Sequence, residues 1–327
     1  MFQLILNADD FGLTQGVNDA VFELARLGAL SSTTVMVNMP YAEPARDLLK
    51  INYFGVGLHF NLTEGRPVSK ASSVTTLIDE DGRFHDFKGL IDRLRSGRVK
   101  EAQIDMELQA QWARLSEILG QSAGHVDSHQ NIHKQPAVCR VLAHFGRTHA
   151  DSPRSRVDLT GEAINTAAEQ GGKANPATTL RPRLGVRNPH RFVCETDRPH
   201  ARPVASWRHS LRQGKLKRML TDLYLWRTGR VLQRGFRVPD GELHAANSQK
   251  LELLQAIRSG DFPFASGDGL FEVACHPAVS TEGLGKDKLQ DKRVQEYQCL
   301  RDPQFTENLS EARSSWDAVV GGRWLGG

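Results

Sequence analysis

Four short apolar runs in this chain end on a carboxylate or an imidazole. Gln3–Ala8 leads into Asp9-Asp10, Gly55–Leu58 into His59, His125–Ser128 into His129, and Leu270–Cys275 into His276. Runs of this length without alternation read as strands buried on both faces. Helical periods separate them. Val17, Ala20, Val21 and Leu24 give one face of a helix over Gly16–Leu27, and Ile104, Leu108, Trp112, Leu115 and Leu119 one over Lys100–Leu119. The pattern adds a strand at Ser32–Asn38 and helices at Glu43–Lys50, Pro136–Phe145, Leu211–Gly235, Ala246–Ile257 and Lys292–Leu300. Residues 66–88 read as a loop-rich insertion around the turn signal Asp81-Gly82. Strands alternating with helices predict parallel βα units, and α/β barrels place their chemistry at the C-terminal ends of such strands.

The pattern fails twice. From Arg147 to Ser206 neither a period of 2 nor one of 3.6 survives, and Arg, Pro, Thr, Ala and Gly are in excess. Beyond Ser310 the chain is again weakly patterned. The predicted organisation is one domain over 1–305 with an atypical segment at 147–206, then a weakly ordered tail at 306–327.

Composition narrows the class. A chain of 327 residues is long enough for one large barrel core. No apolar stretch is long enough to cross a bilayer, and the N-terminal run lacks the basic flank of a signal peptide. Cys139, Cys194, Cys275 and Cys299 are far apart and fit no zinc or disulfide spacing, which points to a reducing, cytoplasmic setting. The net charge of +4 is unevenly spread. Residues 207–235 interleave Trp207, Leu216, Met219, Leu223, Tyr224 and Trp226 with Arg and Lys. An ordinary barrel helix with a solvated basic face is the preferred reading there, and peripheral association with an anionic membrane is the alternative. The basic residues fit no recognised module for nucleic acid, which is not expected as a partner.

The strand ends carry the candidate chemistry. Of two adjacent Asp residues at a strand end, one can bind a metal while the other takes a proton from water. The competing reading is a turn or a helix cap. His59 alone would more often be a satisfied core residue than a ligand. Asp127-Ser128-His129-Gln130-Asn131-Ile132-His133 is denser, and its density favours metal binding or catalysis, with Asp127 as ligand or as the partner behind a ligand. His276, at the end of a buried run and before Pro277, is a candidate general acid. Cys275 reads as a small buried hydrophobe.

Taken together, these motifs resemble the YdjC-like carbohydrate deacetylase family. The resemblance rests on residues 7–14 (Asn-Ala-Asp-Asp-Phe-Gly-Leu-Thr), on Gly16-Val17-Asn18, and on Ser31-Ser32-Thr33-Thr34 with Met36. It continues through residues 57–63, Asp127-Ser128-His129-Gln130 with His133, Cys275-His276-Pro277, and Arg293 with Glu296. The stretch 235–241 is similar to a branch associated with hopanoid-lipid gene clusters. The resemblance covers roughly residues 1–146 and 211–305.

It implies a distorted (β/α) TIM-like barrel of the glycoside hydrolase and deacetylase type that removes the acetyl group of an N-acetylated sugar, free or lipid-linked. The implied metal ligands are Asp10, His59 and His129, with Asp9 as general base and His276 as general acid. Asn61, Asp127, His133 and Arg293 are implied as substrate or supporting residues. The implied cofactor is Mg²⁺ or Zn²⁺, and the ligand set itself suits Zn²⁺. The chain departs from the family at Asn131, over 147–206, where a strand with an Arg-bearing loop is expected and Arg154 and Arg156 are weak stand-ins, and after Ser310. Other metal-dependent amidohydrolases or phosphoesterases, a binding-only homologue and a homodimer stay open.

Overall fold

The computed structural model describes residues 2–52, 54–149, 185–186, 191–194, 220, 224, 227–233, 241–245, 250–260, 269–285 and 289–315. The strands are β1 (Phe2–Phe11), β2 (Ser32–Val35), β3 (Gly55–Phe60), β4 (His125–Ser128), β5 (Gly185–Val186), β6 (Arg191–Cys194), β7 (Gly241–Ala245) and β8 (Gly269–Cys275). The helices are α1 (Gln15–Arg26), α2 (Ala45–Leu48), α3 (Phe87–Arg95), α4 (Glu101–Leu119), α5 (Pro136–His149), α6 (Lys250–Arg258), α7 (Gln290–Leu300) and α8 (Pro303–Ser315).

The strands form one sheet of eight in the order β5-β4-β3-β2-β1-β8-β7-β6, and every ladder is parallel. That is the cyclic order of a (β/α)₈ barrel. The first strand pairs with the last from Phe2↔Gly269 to Ala8↔Cys275, and β5 and β6 are the ends of the series. The expected distorted α/β barrel is thus the observed architecture, with its seam on the far side from β1.

Helices cover the sheet through the faces the periodicity marks. Val17, Ala20, Val21 and Leu24 are fully buried where α1 packs on β1 and α7. The α1 helix starts at Thr14, whose hydroxyl caps the amide of Val17 at 3.2 Å. On α4, Ile104, Leu108 and Leu115 are buried towards β3, α2 and α5. Two expectations change. The pattern finds no strand in 147–206 and none at 241–245, yet β5, β6 and β7 lie there. They are two to five residues long, too short for a period to stand out against their neighbours. Likewise no element is marked after Leu300, but α8 runs to Ser315. It packs on α6 and α7 through Phe305 and Leu309, a single i,i+4 pair. Arg154, Arg156, residues 235–240 and the basic-stretch residues Trp207, Leu216, Met219, Leu223 and Trp226 lie outside the described residues. Among the described residues, no helix is long and apolar enough to cross a membrane.

One glycine opens the barrel interior to a bulky side chain. A Cβ on Gly57 would lie 2.5 Å from Cδ2 and 2.6 Å from Nε2 of the buried His125 ring on the neighbouring strand. Gly57→Ala should therefore destabilise the fold by about 1–3 kcal/mol, the range for overpacking. Chemical denaturation should also show the loss shrinking in a Gly57→Ala/His125→Ala double variant. Unchanged stability of the single variant would show that the ring swings aside freely.

Candidate metal centre

The site is built from the ends of β1, β3, β4 and β8, and the geometry starts with a defect in β1. Ala8 pairs with Thr33 and Phe11 with Val35, so three steps on β1 match two on β2. The extra residue makes a β-bulge, and Asp10 sits in it with φ +69°. Strict alternation would send adjacent side chains to opposite faces. The bulge instead brings both carboxylates into one buried cluster. Gly12, at φ +96°, completes the turn where an added Cβ would lie 3.1 Å from the Met36 carbonyl oxygen and 3.2 Å from Cα of Ala42. Asn18 holds that turn by accepting from the Gly12 amide at 2.7 Å and donating to the Tyr41 carbonyl at 2.8 Å.

Asp10 is the hub. Its Oδ1 lies 3.0 Å from Nε2 of His59 and 2.9 Å from Nδ1 of His129, and its Oδ2 accepts from Nη2 of Arg293 at 2.6 Å. One donor atom from each of Asp10, His59 and His129 falls within 4.8 Å of the others, and all three residues are buried. Burial alone would raise the Asp10 pKa. The Arg293 guanidinium, followed by His129 and His59, outweighs it and holds the carboxyl well below the usual carboxylate range. For His59, burial opposes the charged form. Asp127 and Asp10 outweigh it and raise the pKa to about 10.

Behind Asp10, His59 and His129 lies a second set of polar contacts. His59 Nδ1 donates to Oδ1 of Asp127 at 2.5 Å, the carboxylate–imidazole arrangement that orients a metal-binding histidine. Oδ2 of Asp127 accepts from the Thr34 hydroxyl at 2.9 Å. Asp9 accepts from Asn7 Nδ2 at 2.9 Å through Oδ1, and Nε2 of His276 lies 3.6 Å from its Oδ2. The His276 backbone amide donates to Glu296 on α7 at 2.5 Å. After His129 the chain passes through Gln130 (φ 52°) and Asn131 (φ 56°). With Asp10 these are the three non-glycine residues at positive φ among the described residues. Strained backbone of this kind gathers at functional sites, at roughly 1–3 kcal/mol each.

Of the residues singled out in the sequence, Asp9, Asp10, His59, Asp127, His129, His276 and Arg293 come together. The other two are engaged elsewhere. His133 Nδ1 lies 2.6 Å from the Ser128 hydroxyl. Asn61 braces the loop after β3: its Oδ1 accepts the amides of Thr63 and Glu64, and its Nδ2 donates to Asn38 and to the Glu64 carbonyl. Asn7, Asn18 and Thr34 were given no role by the sequence. Their signal in the sequence is that all three lie within the motifs that carry the family resemblance, at residues 7–14, 16–18 and 31–34.

A model of the YdjC-like protein family matches residues 3–311. The chain belongs to the YdjC-like family. Among curated proteins, this YdjC-like chain is 37% identical over 155 residues to the carbohydrate deacetylase of Danio rerio, covering 46% of this chain and 50% of that protein. It is 39% identical over 146 residues to the chitooligosaccharide deacetylase of Serratia marcescens, covering 44% and 55%. The aligned region thus spans about half the length of these relatives. The crystal structure of a proposed cellobiose-phosphate cleavage protein from Enterococcus faecalis V583 superposes with a TM-score of 0.64 at 22% identity, covering 95% of this chain and 94% of that one. That likeness supports the fold.

The donor set fits a divalent cation: one carboxylate held ionised, and two imidazoles converging on its oxygen. With the His59 pKa raised to about 10 by Asp127 and Asp10, a cation taking its Nε2 would displace a proton. Affinity should then rise with pH below that value, about tenfold per unit for one displaced proton. Titration of the metal-free chain with Zn²⁺ at pH 6, 7 and 8 checks this, and a flat affinity would mean that His59 is already neutral there.

Proposed function

We propose that this YdjC-like chain is a metal-dependent hydrolase that removes the N-acetyl group of an N-acetylated sugar. The observation that carries the reading is the convergence of Asp10, His59 and His129 beside a paired Asp9 and His276. The names of the curated relatives supply the substrate class. Asp10, His59 and His129 are the residues that would hold the metal, and two imidazoles with one carboxylate favour Zn²⁺ over Mg²⁺. When bound there, such an ion polarises the amide carbonyl and acidifies water.

The chain's own residues do the rest. Asp9 accepts the proton of the attacking water through Oδ2, since its Oδ1 is occupied by Asn7. The water oxygen bonds to the acetyl carbon, and the carbon–nitrogen bond then breaks. His276, whose Nε2 lies 3.6 Å from Asp9 Oδ2, delivers a proton to the departing sugar amine, which otherwise leaves poorly. The products are acetate and the free amino sugar. Asp127 keeps the His59 Nε2 lone pair facing the metal position, and Arg293 keeps Asp10 anionic.

Asp9→Asn should lower the rate of acetate release from an N-acetylated chitooligosaccharide by about 10²–10⁴-fold, the usual contribution of a general base. Zn²⁺ affinity should stay near that of the parent. Acetate release at the parental rate would remove Asp9 as the base, and release of phosphate from a sugar phosphate in place of acetate would overturn the reaction class.

A further inference from the structure

Strand β2 lies between the strand that carries Asp9 and Asp10 and the strand that carries His59. It supplies neither a ligand nor a proton-transfer group. Alternation nevertheless sets Ser32 and Thr34 on one face, and both side chains enter the site's hydrogen bonds. Ser32 donates to Oδ1 of Asn7 at 2.7 Å. The Asn7 amide then has only its NH₂ left to give. It donates to Asp9 Oδ1 at 2.9 Å and to the Thr34 hydroxyl oxygen at 3.3 Å. Thr34 Oγ1 lies 2.9 Å from Asp127 Oδ2 and 3.0 Å from His59 Nδ1. Asn7, Ser32, Thr34 and Asp127 are each no more than 2% exposed, so water does not substitute for any of these partners.

Donor and acceptor counting fixes the direction of the chain. An ionised carboxylate only accepts, and the amide NH₂ and the His59 N–H only donate. The one hydroxyl proton of Thr34 therefore goes to Asp127. Its lone pairs then face Asn7 and His59. This arrangement leaves both oxygens of Asp127 engaged and both amide hydrogens of Asn7 used. A side chain of the same shape without the hydroxyl would leave Asp127 and Asn7 one partner short in a dry environment.

We propose that Thr34, backed by Asn7, is a positioning residue: its hydroxyl locks the His59–Asp127 pair and, through Asn7, ties Asp9 to the same frame. The metal-holding and proton-transfer halves of the site are thereby set at a fixed spacing by one strand that itself takes no part in the reaction. The kinetic part of this inference rests on the deacetylase reading. The metal-binding part does not.

The test uses the full chain, metal-free, titrated with Zn²⁺ alone. Thr34→Val keeps the β-branched shape and should weaken Zn²⁺ binding by about 10–100-fold, the range for losing a group behind a metal ligand. Thr34→Ser restores the hydroxyl and should recover most of that affinity. Asn7→Ala touches no ligand. It should leave Zn²⁺ affinity near that of the parent while lowering kcat for acetate release, with KM unchanged. Parental Zn²⁺ affinity in Thr34→Val would overturn the proposal. So would a Thr34→Ser variant as weak as Thr34→Val, because the methyl packing would then be the cause. If Thr34→Val does not fold, Asn7→Ala decides, and a parental kcat there overturns the link to Asp9. A parent that binds Zn²⁺ but releases no acetate refutes the deacetylase reading and leaves the Zn²⁺ comparison standing.

Discussion

The top of this barrel depends on one buried ion pair. Asp10 is carried by β1 and Arg293 by α7, 283 residues apart, and their contact at 2.6 Å is fully enclosed. Burial works against the charged form of Asp10, and Arg293 is the largest of the groups that hold it ionised. With it, one oxygen is neutralised and the other is left to two imidazoles. Breaking a buried pair from one side leaves an uncompensated charge, at about 3–5 kcal/mol. The pair is therefore structural as well as electrostatic, and it joins α7 to β1. Glu296, one turn further along α7, repeats the device by holding the backbone amide of His276. A single helix face thus sets both the charge of Asp10 and the position of His276.

The rest of the site follows from how strand ends are built. Parallel strands deliver side chains to one rim, and the rim needs departures from regular geometry to bring neighbours onto a common point. Here the departures are a bulge at Asp10 and two left-handed residues after His129. Asp tolerates positive φ better than most residues, which suits it to sit in the bulge and bind. Gln130 is less suited, and its conformation is held by the packed elements on either side of the loop, β4 and α5.

The legible part of this arrangement was local. A run of apolar residues ending in Asp or His is visible within one segment, so β1, β3, β4, β8 and their terminal side chains could be read directly. So could the helices whose apolar faces run for several turns, such as α1 and α4. The illegible part was relational. Nothing in Ala8-Asp9-Asp10-Phe11 announces a bulge, because that depends on register against Thr33 and Val35. The hydroxyl of Thr34 looks like an ordinary strand residue until Asn7 and Asp127 are placed on either side of it. Asn61 lies two residues from His59 in sequence, and that its amide braces the loop after β3 shows only once Asn38 and Glu64 are placed around it. Strands β5, β6 and β7 escape the pattern for a different reason: two to five residues carry too few positions for a period.

The topology also gathers the clustered side chains on one side of the sheet. In the sheet order the contributing strands β4, β3, β2, β1 and β8 are contiguous, and β5 and β6 stand at the two ends of the series. The β1–β8 ladder, seven residue pairs long, closes the chain's two halves directly beneath Asp9, Asp10 and His276. A barrel of this kind does not need its whole circumference to fix a site that occupies five adjacent strands. Among the described residues, the local network runs from Arg293 on α7 through Asp10 and His59 to Asp127, Thr34, Asn7 and Asp9, all carried by those adjacent strands.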